Sequence, residues 1–436
     1  MKYIKKYLNF PLLIILALSL NTSVADEESD LFDKVFKNPG DLKLNYDLAQ
    51  VQIASKNFKG AAASLERILV RFENETSIQL LLAKVNIQLN NRTDAKRLYN
   101  QILKNKNAPV ENQQIARQEL SLLNINNNDD DEKGNSTWGA YGSLSFSYGE
   151  TDNARKASYN NSVLLGGATY KSDVTSDPEF FRTSTLDVNL FKEVGDNTRL
   201  WAGMNAALKD YNTYNDSDTE NWHFRLGVDT PMLGGMTRIM SQGGQMYLNN
   251  YKFINYYGIN VDHRRMIAPS WLLNTGFGRT NLEFQEYEGI LDNTDKAGFS
   301  NKFHASLTKS WERFRGDITY TIGDTNAKRQ WYSYDTKQFD FSLTTDYGIG
   351  VTSFFYTLAD NDYGLANANV DPNTVRQDTF VSYGFNYQIS LTTLDIPKPK
   401  DLIANFKYKW GENRSNINNY KRDNDREWVM TVTKSF

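Results

Sequence analysis

The chain has 436 residues, a formal net charge of −3 and no cysteine. The near-neutral balance offers no basic footprint for nucleic acid, and the missing thiols exclude disulfides, thiolate nucleophiles and cysteine metal sites. Aromatic residues make up 13% of the chain, with 25 Tyr and 24 Phe, yet mean hydropathy is negative; this pairing argues against helical membrane spans, which need about 18 consecutive apolar residues, and fits apolar residues kept to one face.

Residues 1–25 read as a secretory signal peptide. Lys2, Lys5 and Lys6 precede the apolar stretch from Phe10 to Leu20, and Ser23 and Ala25 supply small residues at the −3 and −1 positions of a cleavage site. The apolar run is short for a membrane anchor. The mature protein is expected to start at Asp26. No cysteine follows the apolar stretch, so the mature protein is not expected to be a lipoprotein itself.

Residues 26–123 read as a helical repeat domain. Between residues 38 and 104 the sequence repeats with a period of about 34 residues. Leu48-Ala49 recurs as Leu82-Ala83, Asn57 as Asn91, Ala61 as Ala95, and Ile68-Leu69 as Ile102-Leu103. Each unit predicts two amphipathic helices, over 42–54 and 58–71 and again over 76–89 and 93–104. A further helix over 110–123, after Pro109, is expected to cap the stack. By position the units resemble tetratricopeptide repeats. The small residue that opens the second helix of a repeat is matched by Ala61 and Ala95, and the aromatic position by Leu65 and Tyr99. Asn45 and Gln79 stand where that family carries a Trp. Such repeats present a concave peptide-binding face, here near Tyr46, Gln50, Gln79 and Lys84.

"NINNNDDDEKGNS", residues 124–136, reads as a polar, acidic linker. From residue 137 to 436 the period changes to two. Phe339, Phe341 and Leu343 alternate with Asp340, Ser342 and Thr344. Phe406, Tyr408 and Trp410 alternate with Asn405, Lys407 and Lys409, and Trp222, Phe224 and Leu226 with His223, Arg225 and Gly227. Strands of this kind have one apolar and one polar face. A soluble sandwich would wet the polar face. A transmembrane barrel turns the apolar face to lipid and the polar face to its lumen.

Lys and Arg recur at the polar positions, which favours a wet lumen; Arg225, Lys407 and Lys409 are its candidate charges. Aromatics near strand ends (Trp201, Trp222, Tyr256-Tyr257, Trp271, Trp311, Trp331) suggest interface girdles. Fourteen segments stand out, near 139–148, 183–192, 198–209, 221–229, 236–247, 252–262, 271–283, 300–310, 313–322, 336–346, 349–358, 379–391, 402–411 and 427–436. One more is possible at 162–170. Fourteen antiparallel strands are therefore expected in an α plus membrane-β chain. The polar inserts 150–178, 284–299 and 359–378 are candidate extracellular loops. The last strand alternates through Trp428, Met430 and Val432 to Phe436, and resembles the assembly signal of bacterial outer-membrane barrels.

No H-E-x-x-H, phosphate-cradling glycine loop or G-x-S-x-G motif is present. By parity His223 and His304 are expected in the lumen and His263 at the lipid face, apart from its neighbour Asp262. Neither an enzyme nor a cofactor or metal site is expected.

The order of signal peptide, short repeat region and barrel resembles the surface lipoprotein assembly modulator (Slam) family. "GAYGSLSFSYGETDNARKAS" is similar to that family's opening strand. "RQDTFVSYGFNYQI" resembles its Arg-x-Asp strand. The closing pair is matched through Ser415-Asn416, Tyr420 and Phe436. The resemblance implies an outer-membrane translocator with a periplasmic repeat domain and a surface lipoprotein or secreted protein as client. The other expected partners are the barrel assembly machinery and outer-membrane lipid, with no nucleic acid, and the chain is expected to act as a monomer. Two alternatives stay open: an exopolysaccharide export porin with periplasmic repeats, and a passive diffusion channel.

Overall fold

The computed structural model describes residues 24–436 except 90, 106–107, 109–111, 113–114, 117–118, 121–137, 159–160, 195–197, 269–270, 288–292, 312, 347–349, 392–401 and 424. Most of the signal peptide, the whole linker and most of the expected 110–123 helix therefore lie outside the described residues.

Five helices come first: α1 Val24–Lys37, α2 Leu42–Ala54, α3 Phe58–Arg71, α4 Thr76–Gln88 and α5 Arg92–Lys104. The 34-residue period is visible atom by atom. Leu48 and Leu82, Ala49 and Ala83, Ala61 and Ala95, Leu65 and Tyr99, and Ile68 and Ile102 are all buried. Asn45 Nδ2 donates to the Pro39 carbonyl at 2.9 Å; 34 positions on, Gln79 Nε2 donates to the Glu73 carbonyl at 2.7 Å. The backbone N–H of Asn57 returns to Gln52, and that of Asn91 to Asn86. The starts of α2 and α3 are capped by side chains: Asp41 accepts from Leu44 N at 2.9 Å and Asn57 from Gly60 N at 3.1 Å. At the start of α5 the Asn91 amide, aided by Arg97, holds the Asp94 carboxyl below its ordinary range.

Helix α1 has no counterpart in the sequence reading. Its Glu28 receives hydrogen bonds from Ser55 at 3.0 Å and Asn57 at 2.8 Å, and its Val35 is buried. Of Leu31, Phe32, Val35 and Phe36 only Val35 is deeply covered, so the local pattern is weak.

Burial, with a smaller push from Glu119, raises the Tyr99 hydroxyl above the ordinary tyrosine range. That hydroxyl has no hydrogen-bond partner among the described residues. An orphaned buried hydroxyl costs roughly 1–3 kcal/mol. Tyr99→Phe is therefore expected to leave the helical unit as stable as before or more so. Limited proteolysis of the full chain against urea checks this; earlier cleavage in the variant would contradict it.

The remaining described residues form sixteen strands. They are β1 Trp138–Thr151, β2 Ser162–Leu165, β3 Ala168–Lys171, β4 Glu179–Val194, β5 Thr198–Tyr211, β6 Thr219–Met232, β7 Gly235–Leu248 and β8 Tyr251–Ala268. Then follow β9 Trp271–Phe284, β10 Gly298–Ser310, β11 Phe314–Ala327, β12 Tyr334–Asp346, β13 Val351–Tyr363, β14 Gln377–Ser390, β15 Leu402–Ser415 and β16 Glu427–Ser435. Fourteen of them close into one antiparallel barrel, β1 pairing with β4 on one side and with β16 on the other. Each of the fourteen expected segments is one of these strands. The possible extra segment at 162–170 is instead the separate hairpin β2–β3, outside the barrel.

Closure satisfies the backbone of every strand, which is what a sheet needs to live in lipid. The outward face carries exposed apolar side chains: Phe146, Phe224, Leu226, Ile259, Ile318, Phe354 and Met430. None of the described helices is long and apolar enough to cross a membrane; here the strands cross. One end of the barrel has short turns, such as Leu233-Gly234, except for the β14–β15 connection 391–401. The other carries the long connections 152–178, 285–297, 364–376 and 416–426. In outer-membrane barrels the longer loops are extracellular.

Candidate functional site: the inner wall of the barrel

Alternation gives each strand an inward set: Ser143, Ser145 and Ser147 on β1, Asp187 and Asn189 on β4, Arg225 and Asp229 on β6, and Thr431 and Thr433 on β16. The register keeps these sets level around the barrel, with Ser145 beside Thr433 and Arg225 beside Gln242. Asn205, Ser306, Thr319, Asn386 and Asn405 are half-buried rather than sealed. A packed core would seal them; a wet lumen leaves them accessible. The polar contacts run along the wall. Ser145 and Thr433 hydroxyls meet at 2.9 Å, as do Ser147 and Thr431, and Thr357 donates to Asp340 at 2.7 Å.

One charged cluster of the wall lies on β4–β8. Arg225 Nη2 donates to Asp187 Oδ2 at 2.9 Å. To do so it crosses β5 at Gly203, where an added Cβ would stand 2.6 Å from Asn189 Oδ1 and 3.2 Å from Arg225 Nη2. Arg238 donates through Nε and Nη2 to both Asp229 oxygens at 2.7 Å and lies over the Trp201 ring. Trp201 Nε1 donates to Asp229 at 3.1 Å. Trp201, Arg225, Asp229 and Arg238, with Tyr141, Phe191, Arg199, His223, Met240 and Asp262, line a recess of about 370 Å³. Alternating signs suit a passage that retains no single charge.

The neighbouring wall carries the other two candidate lumen charges. Lys409 stands level with Gly384 and Lys407 with Asn386. Lys407 is exposed on the inner face, its ammonium 5.5 Å from the Phe355 ring. Lys409 lies 5.7 Å from the Phe380 ring.

Arg225→Ala is expected to leave Asp187 without its cation and so to favour cation passage. The reversal potential across a planar bilayer under a salt gradient should shift toward the cation value. An unchanged potential would show that Arg225 does not face the conducting path.

Two expected girdle residues are corrected. Trp201 and Tyr256 face the lumen. Each ring lies over a glycine on the adjacent strand: an added Cβ would stand 2.7 Å from Trp201 at Gly227 and 2.5 Å from the Tyr256 hydroxyl at Gly244. Tyr256 thereby reaches across β7 to His223 Nδ1 at 2.8 Å. Trp331 sits in the β11–β12 connection, and Tyr257 is exposed on the outward face.

The histidines are split between the two faces. His304 faces inward, 3.3 Å from Asp262. His263 faces outward, its Nδ1 3.0 Å from the Thr237 hydroxyl. Among the described residues no group of three or more His, Asp or Glu is gathered as a metal would need. Outside the strands, burial, with a smaller push from Arg376, holds Lys296 below the ordinary lysine range.

On the helical unit Gln50 and Gln79 are buried. Tyr46 is half-buried and packs against the core, and Lys84 is exposed. Of the four, only Lys84 offers an open side chain. At the other end of the chain Trp428, Met430, Val432 and Phe436 share the outward face. Trp428 Nε1 donates to Glu150 at 2.9 Å, and the Phe436 ring lies over Gly142, 2.6 Å from where a Cβ would be.

No protein-family model matches the chain, and no curated protein matches it. Among solved structures, OccK2 (OpdF) of Pseudomonas aeruginosa aligns with a TM-score of 0.35 at 10% identity, over 68% of this chain and 97% of that one. OpdQ of Pseudomonas aeruginosa gives 0.35 and 10%, over 69% and 98%. OccAB1 of Acinetobacter baumannii gives 0.35 and 10%, over 68% and 96%. Such low similarity adds nothing to what the chain's own closure and two faces establish, which is an outer-membrane β-barrel with an amino-terminal helical segment.

Proposed function

We propose that the protein is an outer-membrane translocator in which the helical hairpins gather a client polypeptide in the periplasm and the barrel helps pass it outward. One observation carries the reading: a helical array of 34-residue period shares a chain with a barrel whose inner wall is polar and accessible. A simple solute pore has no use for a peptide-binding arm. The resemblance to the Slam family adds the client class, surface lipoproteins or secreted proteins. The periplasm holds no ATP, so client binding and client folding outside the cell would supply the drive.

A second reading gains from one feature. Tyr141, Trp201 and Tyr256 stand on the inner wall, and sugars stack on aromatic faces. Polysaccharide export therefore stays in competition.

Protease shaving of intact cells, with and without the gene, separates these readings. Loss of one or two lipoproteins from the surface, while they remain in the cell, supports the translocator. Unchanged surface proteins with reduced released polysaccharide support the second reading. Unchanged proteins and polysaccharide, with altered small-solute uptake, overturn both in favour of a passive channel.

A further inference from the structure

The connection from β1 to β4, residues 152–178, is the longest between barrel strands, and its two halves are held in different ways. The base is packed and paired. Asn153, Ala154 and Ala157 are buried, and Asn153 Oδ1 accepts from Ala157 N at 2.7 Å. Arg426 Nε donates to Asp152 at 2.7 Å, and Lys156 pairs with Asp425 at 2.8 Å.

The distal half is the hairpin β2–β3, turned by Gly166 and Gly167 with φ of +58° and +85°. Every residue of β3 is exposed, as is Leu165 on β2. Specific hydrogen bonds tie it to its neighbours. The Asn419 amide clamps the backbone of Leu164, accepting from its N–H at 2.6 Å and donating to its carbonyl at 2.9 Å. Asn418 Nδ2 donates to the Ser162 carbonyl at 3.1 Å. At the tip, Gly166 N donates to the Asn369 carbonyl at 2.9 Å and Gly167 N to the Val370 carbonyl at 2.8 Å.

These partners belong to the β15–β16 and β13–β14 connections, which follow β1 in order around the rim. The hairpin thus reaches from the β1–β4 corner across two successive loops. On that side of the mouth the inward strand ends Asp378, Ser382 and Asn413 are buried. On the opposite side Asn221 and Met246 stay half-buried.

We propose that β2–β3 is a strap that narrows the extracellular mouth and opens by lifting from its two neighbouring loops, with Asn418 and Asn419 as its latch. Hydrogen bonds from these half-buried amides exchange for water at modest net cost, whereas the packed, ion-paired base resists release. The hairpin can therefore leave the rim while its base stays in place. This inference needs only that the barrel conducts; it is independent of the client.

The chain has no cysteine, so an introduced pair provides its only thiols. The test uses the full-length S162C/N418C chain in planar lipid bilayers, with the cross-link verified by gel mobility. L164C/N419C replaces it if the first pair does not oxidise. The oxidised protein is expected to show a several-fold lower conductance, restored by reductant, while each single variant ignores reductant. N418A/N419A is expected to lengthen the time spent at the highest conductance level. A cross-linked chain that conducts like the reduced one overturns the proposal, as does an N418A/N419A chain that gates like the parent. A chain silent in every form also overturns it. Loss of the client effect in the shaving experiment leaves this result untouched, so the two readings fail separately.

Discussion

Removing Val432–Phe436 is expected to abolish the folded barrel, read as complete loss of the heat-modifiable band in outer-membrane fractions. Strand β16 closes the sheet between β1 and β15. Its last residues pair Ser143 with Ser435, Leu144 with Lys434, Ser145 with Thr433 and Phe146 with Val432 on one side, and Leu402, Ile403 and Ala404 on the other. Phe436 adds two further bonds, donating to the Gly142 carbonyl at 3.0 Å and accepting from Gly142 N at 2.9 Å. Truncation leaves two edges open within the lipid depth. Each unsatisfied backbone group there costs on the order of several kcal/mol, and the sum exceeds the roughly 5–15 kcal/mol that stabilises a typical fold. Phe436→Ala keeps the backbone bonds and loses only the ring over Gly142, so it should lower the yield of assembled barrel without abolishing it. A truncated chain that still shifts mobility on heating would show that β1 and β15 can close without this segment.

The second large effect is expected at Gly139. An added Cβ there would stand 1.8 Å from the Phe191 ring, which is nearly fully buried against the wall. Even alanine must therefore expel the ring or shift the strand. Displacing a buried phenylalanine costs about 3–5 kcal/mol, and Gly139→Ala should lower barrel stability by a value near the bottom of that range. Urea unfolding in lipid bilayers measures it. A double-mutant cycle with Phe191→Ala makes the cause specific: with the ring gone, Gly139→Ala should cost little, because the two residues are in contact. Equal costs in both backgrounds would place the strain in the backbone instead.

Much of the architecture is legible in the sequence because the signals behind it are local. Period two is a property of one strand, so all fourteen barrel strands could be marked without knowing their partners. The 34-residue period is likewise carried within each hairpin: the small residues Ala61 and Ala95 sit where helices approach, and Asn57 and Asn91 where the chain turns. Alternation also carries which face a charge takes, but not its partner. Asp187 could not be matched to Arg225, nor Asp229 to Arg238, since those partners lie on other strands.

The tertiary structure alone decided what makes room for the inward aromatics. Trp201 and Tyr256 read locally as girdle residues. Alternation against Leu200 and Tyr257 turns them to the lumen, and Gly227 and Gly244, on neighbouring strands, clear the space for their rings. It also decided that segment 162–170 leaves the barrel to dock on distant loops, through Asn369, Asn418 and Asn419. In both cases the deciding contact joins residues far apart in the chain. Alternation and helical period report what a residue's own backbone does; a glycine one strand away, or an asparagine two loops away, becomes a neighbour only once the barrel has closed.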